Sequence, residues 1–589
     1  MKRLSCVILI FFSGVFGLAQ SQNASAALPY KNPSLPVDQR VQDLLGRMTL
    51  QEKVAMLSGA DWMQSVPNER LGIPSIKMAD GPIGIRSWAG PSAQTNAAVS
   101  SKKITTTSFP AGVAMAATWD VDLLQGEGQA IGQELKALGR DMILGPTVNI
   151  NRTPLWGRNF EGFGEDPYLT SRLAVAYIKG VQGEGVIATV KHFDANNQEF
   201  ERHRINAVID QRALHEIYFP AFKAAVQEAG VWSVMSAYNK LNGVYCAENP
   251  YLLKDVLQKE WGFKGFVVSD WGSTYSTAAT VNAGMDLEMP GGEPMRGWMK
   301  RPDTLAAGNG GGWLDSEKVL ADIKAGEISA ATIDDNVGRI LRVIFVSGQF
   351  DKPHIATGEI DTPQQRAFAR KAATESIVLL KNGGDLLPID ASKIHSIVVI
   401  GPNAEVARTG GGGSSLVTPK YSVSPLKGIQ DRAGQRLQVR YALGAAMEGE
   451  GAGKDTPEQL RNEAVSAAAK ADVAIVLVGR FPKLESEDFD IKSLDLPAGQ
   501  DELIAAVAKV NKHTVVVINA GGPVLMSKWI DQVPAIVDMW YGGQEGGNAI
   551  ADVLFGNANP SGKLPVSFVK RWEDSPAYGH YPGKNLQVE

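Results

Sequence analysis

The sequence predicts an α/β protein of two successive units, the first with the length and pattern of a (β/α)8 barrel. Three observations support this. A chain of 589 residues is too long for one ordinary core. From about Val37 to Gly348, short apolar runs alternate with amphipathic helical stretches, which indicates parallel strands covered by helices. A second series of the same kind begins near Glu375.

The first unit, residues 37–350, is predicted from its clearest strands and helices. The strand candidates are Asp141–Leu144, Val186–Val190, Ser233–Ser236 and Phe266–Ser269, and the helical patterns are Leu123–Ala137, Pro167–Gly183 and Gln211–Glu228. Polar residues directly follow several of the strands. Catalytic side chains of a barrel collect at this end of its strands.

The second unit, residues 375–589, follows a Pro- and Gly-containing stretch that we interpret as a linker over residues 351–374. Its strand candidates are Ile377–Leu380, Ile397–Ile400, Val473–Val478, Thr514–Ile518 and Ala535–Met539, with helices such as Glu458–Ala471 and Gln500–Val510 between them. This order is typical of a doubly wound open sheet.

The N-terminus, residues 1–26, has the order of a secretory signal peptide. Two basic residues precede an apolar run from Leu4 to Leu18, and small-x-small sites follow it. The run is short for a membrane span, so we expect a cleaved signal and a secreted or periplasmic protein. Cys6 lies in this segment, which leaves only Cys246 and no intrachain disulfide.

The overall charge and composition narrow the class of partner. A formal net charge of −5 argues against binding to nucleic acid or to an anionic membrane. One remaining cysteine and seven scattered histidines do not form a Cys/His zinc site. We expect a neutral small molecule or the end of a polymer as the ligand, and no cofactor or metal.

Asp270 is the first candidate for chemistry, because it follows the buried run Phe266–Ser269 and precedes an aromatic residue. Hydrolysis of a glycosidic bond needs one carboxylate beneath the anomeric carbon and one protonated carboxyl beside the leaving oxygen. Capping of the next helix explains Asp270 equally well at this point. Trp271 fits either a core position or a stacking face for a sugar.

Potential cations gather near one strand end. Lys191-His192-Phe193 follows an apolar run, and Arg202 lies a little farther on. Charged donors of this kind suit a ligand rich in hydroxyl groups, whereas an isolated Lys-His pair fits a surface ion pair better. The segments 149–152 and 157–161 add two arginines in a polar loop, which indicates site lining or a surface turn.

These segments together resemble glycoside hydrolase family 3, in its β-glucosidase branch. The resemblance runs from Met48 to the C-terminus. It rests on residues 79–82 (ADGP), 157–161 (GRNFE), 191–193 (KHF), 235–239 (MSAYN), 269–271 (SDW), 375–382, 400–404 (IGPNA) and 542–568.

The resemblance implies a (β/α)8 TIM-barrel-like domain followed by an (α/β)6 sandwich domain, with the active site at their interface. It implies an exo-acting retaining β-glucosidase that acts on β-linked glucosides or oligosaccharides. Asp270 matches the family's nucleophile. The residues that match contacts to the sugar in subsite −1 are Asp80, Arg158, Lys191, His192, Arg202, Met235, Tyr238 and Trp271, with Ser414 as a further contact.

The acid/base matches Glu487, in a loop of the second domain that reads Leu484-Glu485-Ser486-Glu487-Asp488-Phe489-Asp490-Ile491. Asp488 and Ile491 stand where the family pattern has Gly and Arg, and Glu485 remains an alternative. Because like charges raise one another's pKa, we expect Asp270 to be ionised among cations and Glu487 to be held protonated.

Several alternatives are weaker. An N-acetylglucosaminidase would carry a His-Asp dyad after Lys191-His192-Phe193, where this chain has Asp194–Glu199. A catalytically silent carbohydrate-binding protein would not need both Asp270 and Glu487. Xylosidase-leaning relatives tend to carry Glu where this chain has Asp80, which favours glucose. Many relatives continue into a fibronectin type III-like domain, which we expect to be absent here, with the second domain either naturally short or truncated.

Overall fold

The computed structural model describes residues 28–86, 104–291 and 312–589. The signal peptide predicted for residues 1–26 lies outside these ranges. Within them, no helix is long and apolar enough to cross a bilayer.

The strands of the first domain are short, and all but β7 are fully or largely buried. They are β1 (Met78–Ala79), β2 (Met142–Ile143), β3 (Ile187–Phe193), β4 (Asn206–Ala207), β5 (Ser233–Ser236), β6 (Lys240–Leu241), β7 (Val244–Tyr245) and β8 (Phe266–Val268). The second domain contributes six strands of four to seven residues and a two-residue strand near the C-terminus. These are β9 (Val378–Asn382), β10 (Ser396–Ile400), β11 (Gln438–Ala442), β12 (Val473–Gly479), β13 (Thr514–Asn519), β14 (Ala535–Asp538) and β15 (Gln587–Val588).

Helices surround the strands of both domains. In the first domain they are Val37–Arg47, Leu50–Ala55, Gly112–Ala117, Val121–Ala137, Pro167–Gly183, Gln211–Ala213, Pro220–Gln227, Ala278–Ala283, Ser316–Ala325 and Ala330–Val346, with π-helical Leu214–Tyr218 and Tyr251–Glu260. In the second they are Pro363–Ser376, Pro425–Ala433, Pro457–Ala468, Gln500–Val510 and Gly546–Leu554.

The first domain is a barrel-like ring built on five parallel strands. Their order is β1-β2-β3-β5-β8. Beyond β8 the ring continues through single bridges, from Val268 to Leu287 and from Ser58 to Glu288, both parallel. The Met78 N–H then donates to the Met63 carbonyl at 2.8 Å, which returns the ring to β1. All five strands therefore point their carboxyl ends at one mouth.

The second domain is a six-stranded sheet of order β11-β10-β12-β13-β14-β9, parallel except for β9. Its four inner strands, β10, β12, β13 and β14, are buried on both faces. Along β12, Val473, Ile475 and Leu477 belong to one apolar cluster, while Ala474, Val476 and Val478 belong to another. Because alternate side chains of a strand point to opposite faces, helices must cover both sides of this sheet.

The two-domain α/β prediction is confirmed, with local corrections. The helix expected over Gln211–Glu228 is interrupted, because Pro220 has no N–H and the preceding turn widens so that Phe219 N–H reaches the Leu214 carbonyl at 2.8 Å. The stretch interpreted as linker contains most of the helix Pro363–Ser376, which begins with a capping box at Thr362 and runs two residues beyond the predicted boundary. The edge strand β11 was not predicted, since its residues Gln438–Ala442 are partly exposed.

Candidate active site

Several of the predicted site residues lie at or near the carboxyl ends of the barrel strands. Asp80 follows β1, Lys191 and His192 lie near the end of β3, and Asp270 follows β8 by two residues. Met235 is in β5, next to β8, and is 1% exposed. These ends meet at one mouth of the ring, so residues distant in sequence come together there.

Asp270 is buried, and its two oxygens differ. Its Oδ1 accepts the Trp271 backbone N–H at 2.7 Å, which fixes the plane of the carboxylate. Its Oδ2 is buried and accepts no hydrogen bond from the described residues. His192 Nε2 lies 3.6 Å from Oδ2. Trp271 is itself anchored, since its indole N–H donates to the Trp62 carbonyl at 2.8 Å.

Asn149 fixes the tautomer of the His192 ring. The Asn149 amide is oriented by the backbone, because its Oδ1 accepts the His192 N–H at 2.8 Å and its Nδ2 donates to the His192 carbonyl at 2.9 Å. The same Oδ1 lies 2.9 Å from His192 Nδ1, so Nδ1 carries the hydrogen. Burial lowers the pKa of His192 well below its ordinary value, and Arg158 and Lys191 add to this. Nε2 is therefore a neutral acceptor beside Asp270.

Lys191 and Asp80 form an ion pair at the mouth of the ring. Lys191 Nζ lies 3.1 Å from Asp80 Oδ1, and the lysine side chain is 2% exposed. The same Asp80 oxygen accepts the Gly81 N–H at 2.9 Å. The pair offers an anionic and a cationic group at one edge of the mouth, as a ligand with neighbouring hydroxyl groups requires.

Arg158 is held by a buried carboxylate of its own loop. Glu161 accepts from its Nε at 3.0 Å and from its Nη2 at 2.7 Å, and both side chains are essentially unexposed. Nη1 is left without a hydrogen bond to the described residues. Such bidentate pairing fixes the guanidinium plane and turns the remaining nitrogen toward other partners.

Arg202 is held by Glu199 and lies over an aromatic ring. Its Nη1 donates to Glu199 Oε2 at 2.8 Å, and its guanidinium carbon is 4.5 Å from the centre of the Tyr238 ring. The Tyr238 hydroxyl donates to the Trp271 carbonyl at 3.2 Å. These contacts connect Arg202 to the strand end that carries Asp270.

The second domain reaches this mouth through the loop after β12. Glu487 Oε1 accepts from Arg202 Nη1 at 2.9 Å and lies 3.7 Å from Arg158 Nη1. Its Oε2 accepts the Ser414 N–H at 2.8 Å. Gly413 precedes Ser414 at φ 86°, and a Cβ there would lie 2.4 Å from that of Glu487. The glycine-rich loop 410–415 thus packs directly on the Glu487 side chain.

Glu487 lies at the tip of a tight turn. Ser486 and Phe489 form an antiparallel bridge, which places Glu487 and Asp488 at the two central positions. Asp488 has φ 80°, a conformation that costs a non-glycine residue about 1 kcal/mol or more. Its Oδ1 lies 2.5 Å from Arg202 Nη2 while its side chain remains 69% exposed.

Glu485, the alternative acid/base, faces the interior of the second domain. Its Oε1 accepts from Arg480 Nη1 at 2.9 Å. Its Oε2 accepts from the Gly521 N–H at 2.8 Å and from the Tyr541 hydroxyl at 2.6 Å. Glu485 therefore anchors the loop in its own domain, whereas Glu487 extends to the barrel arginines.

Comparison with known proteins agrees with this architecture. Residues 73–343 match the glycosyl hydrolase family 3 N-terminal domain, and residues 377–588 match the glycosyl hydrolase family 3 C-terminal domain. Thermostable beta-glucosidase B of Acetivibrio thermocellus is 41% identical over 549 residues, covering 93% of this chain and 68% of the relative. The chain belongs to glycosyl hydrolase family 3.

Two further similarities extend over most of this family 3 hydrolase. Beta-glucosidase BoGH3A of Bacteroides ovatus is 39% identical over 611 residues, covering 100% of this chain and 79% of the relative. The solved structure of beta-glucosidase 3B from Thermotoga neapolitana in complex with glucose superposes with a TM-score of 0.81 at 33% identity. That match covers 93% of this chain and 79% of the other.

Of the charge states expected for the two carboxylates of this family 3 enzyme, an ionised Asp270 agrees with its pKa of about 6 at neutral pH, whereas a protonated Glu487 does not agree with its lowered pKa. Burial raises the pKa of Asp270 to about 6, and Glu487 adds to the rise, while Arg202, Arg158 and Lys191 oppose it. Burial also acts to raise the pKa of Glu487, but Arg158, Arg202 and the hydrogen bonds from Ser414 outweigh it and hold the pKa well below its usual range. The sequence did not indicate that both arginines would contact Glu487.

Three residues that position the site were not singled out from the sequence. Asn149 orients His192, Glu161 holds Arg158, and Glu199 holds Arg202. Glu161 and Glu199 each lie three residues from their arginine, a separation that allows side chains to meet in a turn. A search for carboxylates at that separation from each candidate arginine would have found both.

Proposed function

We propose that this glycoside hydrolase is an exo-acting, retaining β-glucosidase that releases glucose from the nonreducing ends of β-linked glucosides and oligosaccharides. The observation that carries the proposal is the buried Asp270 Oδ2, which accepts no hydrogen bond from the described residues. Leaving a buried acceptor unpaired costs about 1–3 kcal/mol of stability. An unpaired acceptor of this kind is typical of a group that interacts with a ligand during catalysis.

The proposed reaction is a double displacement. Asp270 Oδ2 attacks the anomeric carbon and forms a covalent glycosyl-enzyme while Glu487 donates a proton to the leaving oxygen. Glu487 then removes a proton from the water that hydrolyses the intermediate, so the configuration is retained. Asp80, Lys191 and His192 would bind the sugar hydroxyls. Met235, Tyr238, Trp271 and Ser414 would complete subsite −1.

The low pKa of Glu487 suits its second role and has to change for its first. Arg158 and Arg202 favour the carboxylate, the form required for a base. A sugar whose hydroxyls take hydrogen bonds from these arginines would remove donors from Glu487 and raise its pKa in the complex. In this proposal, binding of the neutral substrate is what allows Glu487 to take up the proton that it then donates.

Replacement of Glu487 distinguishes the two candidate acid/bases. With Glu487→Ala, we expect hydrolysis of a phenyl β-glucoside to fall by about 100-fold or more, because general acid catalysis contributes that much. Azide should restore turnover of a 2,4-dinitrophenyl β-glucoside and yield β-glucosyl azide. Glu485→Gln is the matched control, and its activity loss should come without azide rescue. Rescue confined to a Glu485 variant would contradict the assignment.

The raised pKa of Asp270 predicts an acid limb in the pH profile. For the 2,4-dinitrophenyl β-glucoside, whose leaving group needs no proton from Glu487, Asp270 only has to be ionised to attack, so kcat/KM should fall as the pH drops through about 6. In Glu487→Gln, assayed with the dinitrophenyl glucoside, the limb should move to lower pH, since one carboxylate that raises the pKa of Asp270 is gone. A wild-type profile that stays flat down to pH ~4, the ordinary range of Asp, would contradict this.

Substrate preference is tested with matched glycosides. Asp80 and Lys191 would bind the outer hydroxyls of glucose, so kcat/KM should be at least about tenfold higher for an aryl β-glucoside than for the aryl β-xyloside, a difference of about 1.4 kcal/mol. Cellobiose, laminaribiose and gentiobiose would rank the linkages. A preference for the xyloside, or no hydrolysis of any of them, would contradict a β-glucosidase.

We also propose that the protein is exported, with residues 1–26 removed. Support comes from the basic and apolar order of the N-terminus. Expression of the full chain in a bacterial host, followed by fractionation and N-terminal sequencing of the product, tests this. We expect an exported form that begins near residue 27. An intact N-terminus on cell-associated protein would contradict it.

A further inference from the structure

Asp490, three residues after Glu487, crosses from the second domain into the barrel. Its Oδ1 accepts the Gly157 N–H at 2.9 Å and the Glu199 N–H at 3.0 Å. Its Oδ2 accepts the Phe200 N–H at 2.8 Å, the Glu199 N–H at 3.0 Å and the Tyr581 hydroxyl at 3.0 Å. One carboxylate thus binds three backbone amides of two separate barrel segments.

Both of those segments lead directly to a partner of Glu487. Gly157 precedes Arg158. Glu199 holds Arg202 through Oε2, and the same oxygen accepts the Asp488 N–H at 3.1 Å. The approach at Gly157 is close, since a Cβ there would lie 1.9 Å from the Phe489 carbonyl oxygen. Any shift of Asp490 relative to the barrel would therefore shift Glu487 relative to both arginines.

The loop is fixed on both sides of Glu487. Glu485 is bonded inside the second domain to Arg480, Gly521 and Tyr541. Asp490 is bonded to the barrel. Only a two-residue turn lies between the bridged residues Ser486 and Phe489, so Glu487 has little freedom of its own.

The geometry points to Asp490 as a positioning residue that sets where Glu487 stands above Asp270. This inference rests on the proposed acid/base role of Glu487. Asp490 binds backbone amides of the barrel and acts through the loop. A displacement of about 1 Å at a reacting group can cost about 100-fold in rate. Because Glu487 is the proposed proton donor, loss of Asp490 should slow the step in which the leaving group takes that proton.

Two β-glucosides separate this role from a general structural one. A phenyl leaving group needs the proton from Glu487, whereas 2,4-dinitrophenolate leaves without it. For Asp490→Asn, whose amide nitrogen would face backbone N–H donors, we expect kcat on the phenyl glucoside to fall by about 10- to 100-fold. On the dinitrophenyl glucoside, glycosylation should slow by less than about threefold, measured in the pre-steady state.

Asp495→Asn is the matched control. Asp495 follows in the same segment and pairs with Lys528 at 2.9 Å, with 43% of its side chain exposed. We expect it to change neither substrate's rate. Melting curves of all variants report stability separately. Tyr581→Phe removes a single donor to Asp490 and should give a smaller loss with the same dependence on leaving group, which preserves the test if Asp490 variants do not fold.

Equal losses on the two glucosides would overturn the inference, as would unchanged rates in folded Asp490→Asn and Tyr581→Phe. Glu487→Ala, assayed in parallel, keeps the two proposals distinct. If Glu487→Ala shows neither the leaving-group dependence nor azide rescue, the proposed acid/base is wrong. If Glu487→Ala shows both and the Asp490 and Tyr581 variants do not show the dependence, only the positioning role is wrong.

Discussion

The site depends on one electrostatic contact between the two domains, in which Arg158 and Arg202 of the barrel bind Glu487 of the sandwich. Both arginines are buried, and each is first paired with a carboxylate of its own segment, Glu161 or Glu199. A buried charge without a partner would be strongly destabilising. The pairs with Glu161 and Glu199 therefore allow the arginines to remain charged in the interior. The Nη1 atoms of both arginines also face Glu487.

This contact couples the fold of one domain to the chemistry of the other. In the proposed reaction, the nucleophile Asp270 comes from the end of β8, while the acid/base Glu487 comes from the loop after β12. Their pKa values move in opposite directions, because burial and Glu487 raise that of Asp270, whereas at Glu487 the two arginines outweigh burial and lower the pKa. A neutral ligand that competes for the arginines would then change both groups at once, as a double displacement requires.

The sequence predicted what depends on local pattern. Strands such as Ser233–Ser236 and the helix Pro167–Gly183 were placed to the residue, because uniform burial and an Asp166–Pro167 start are local signals. It did not predict the π-turn before Pro220 or the charge state of Glu487. These depend on the packing of elements distant in the chain, and no local signal reports that Arg158 and Arg202 both reach Glu487. Residues that matched the family pattern were found, whereas the contacts by which Asn149 and Asp490 position them emerged only from geometry.

Covalent trapping tests the central claim most directly. With 2,4-dinitrophenyl 2-deoxy-2-fluoro-β-glucoside, the enzyme should release one equivalent of dinitrophenolate and become inactive, because the fluorine slows both steps and the good leaving group preserves only the first. Peptic digestion and tandem mass spectrometry should then find the fluoroglucosyl group on Asp270. A label on another carboxylate, or rapid continuous turnover of an unlabelled enzyme that inverts configuration, would contradict the account.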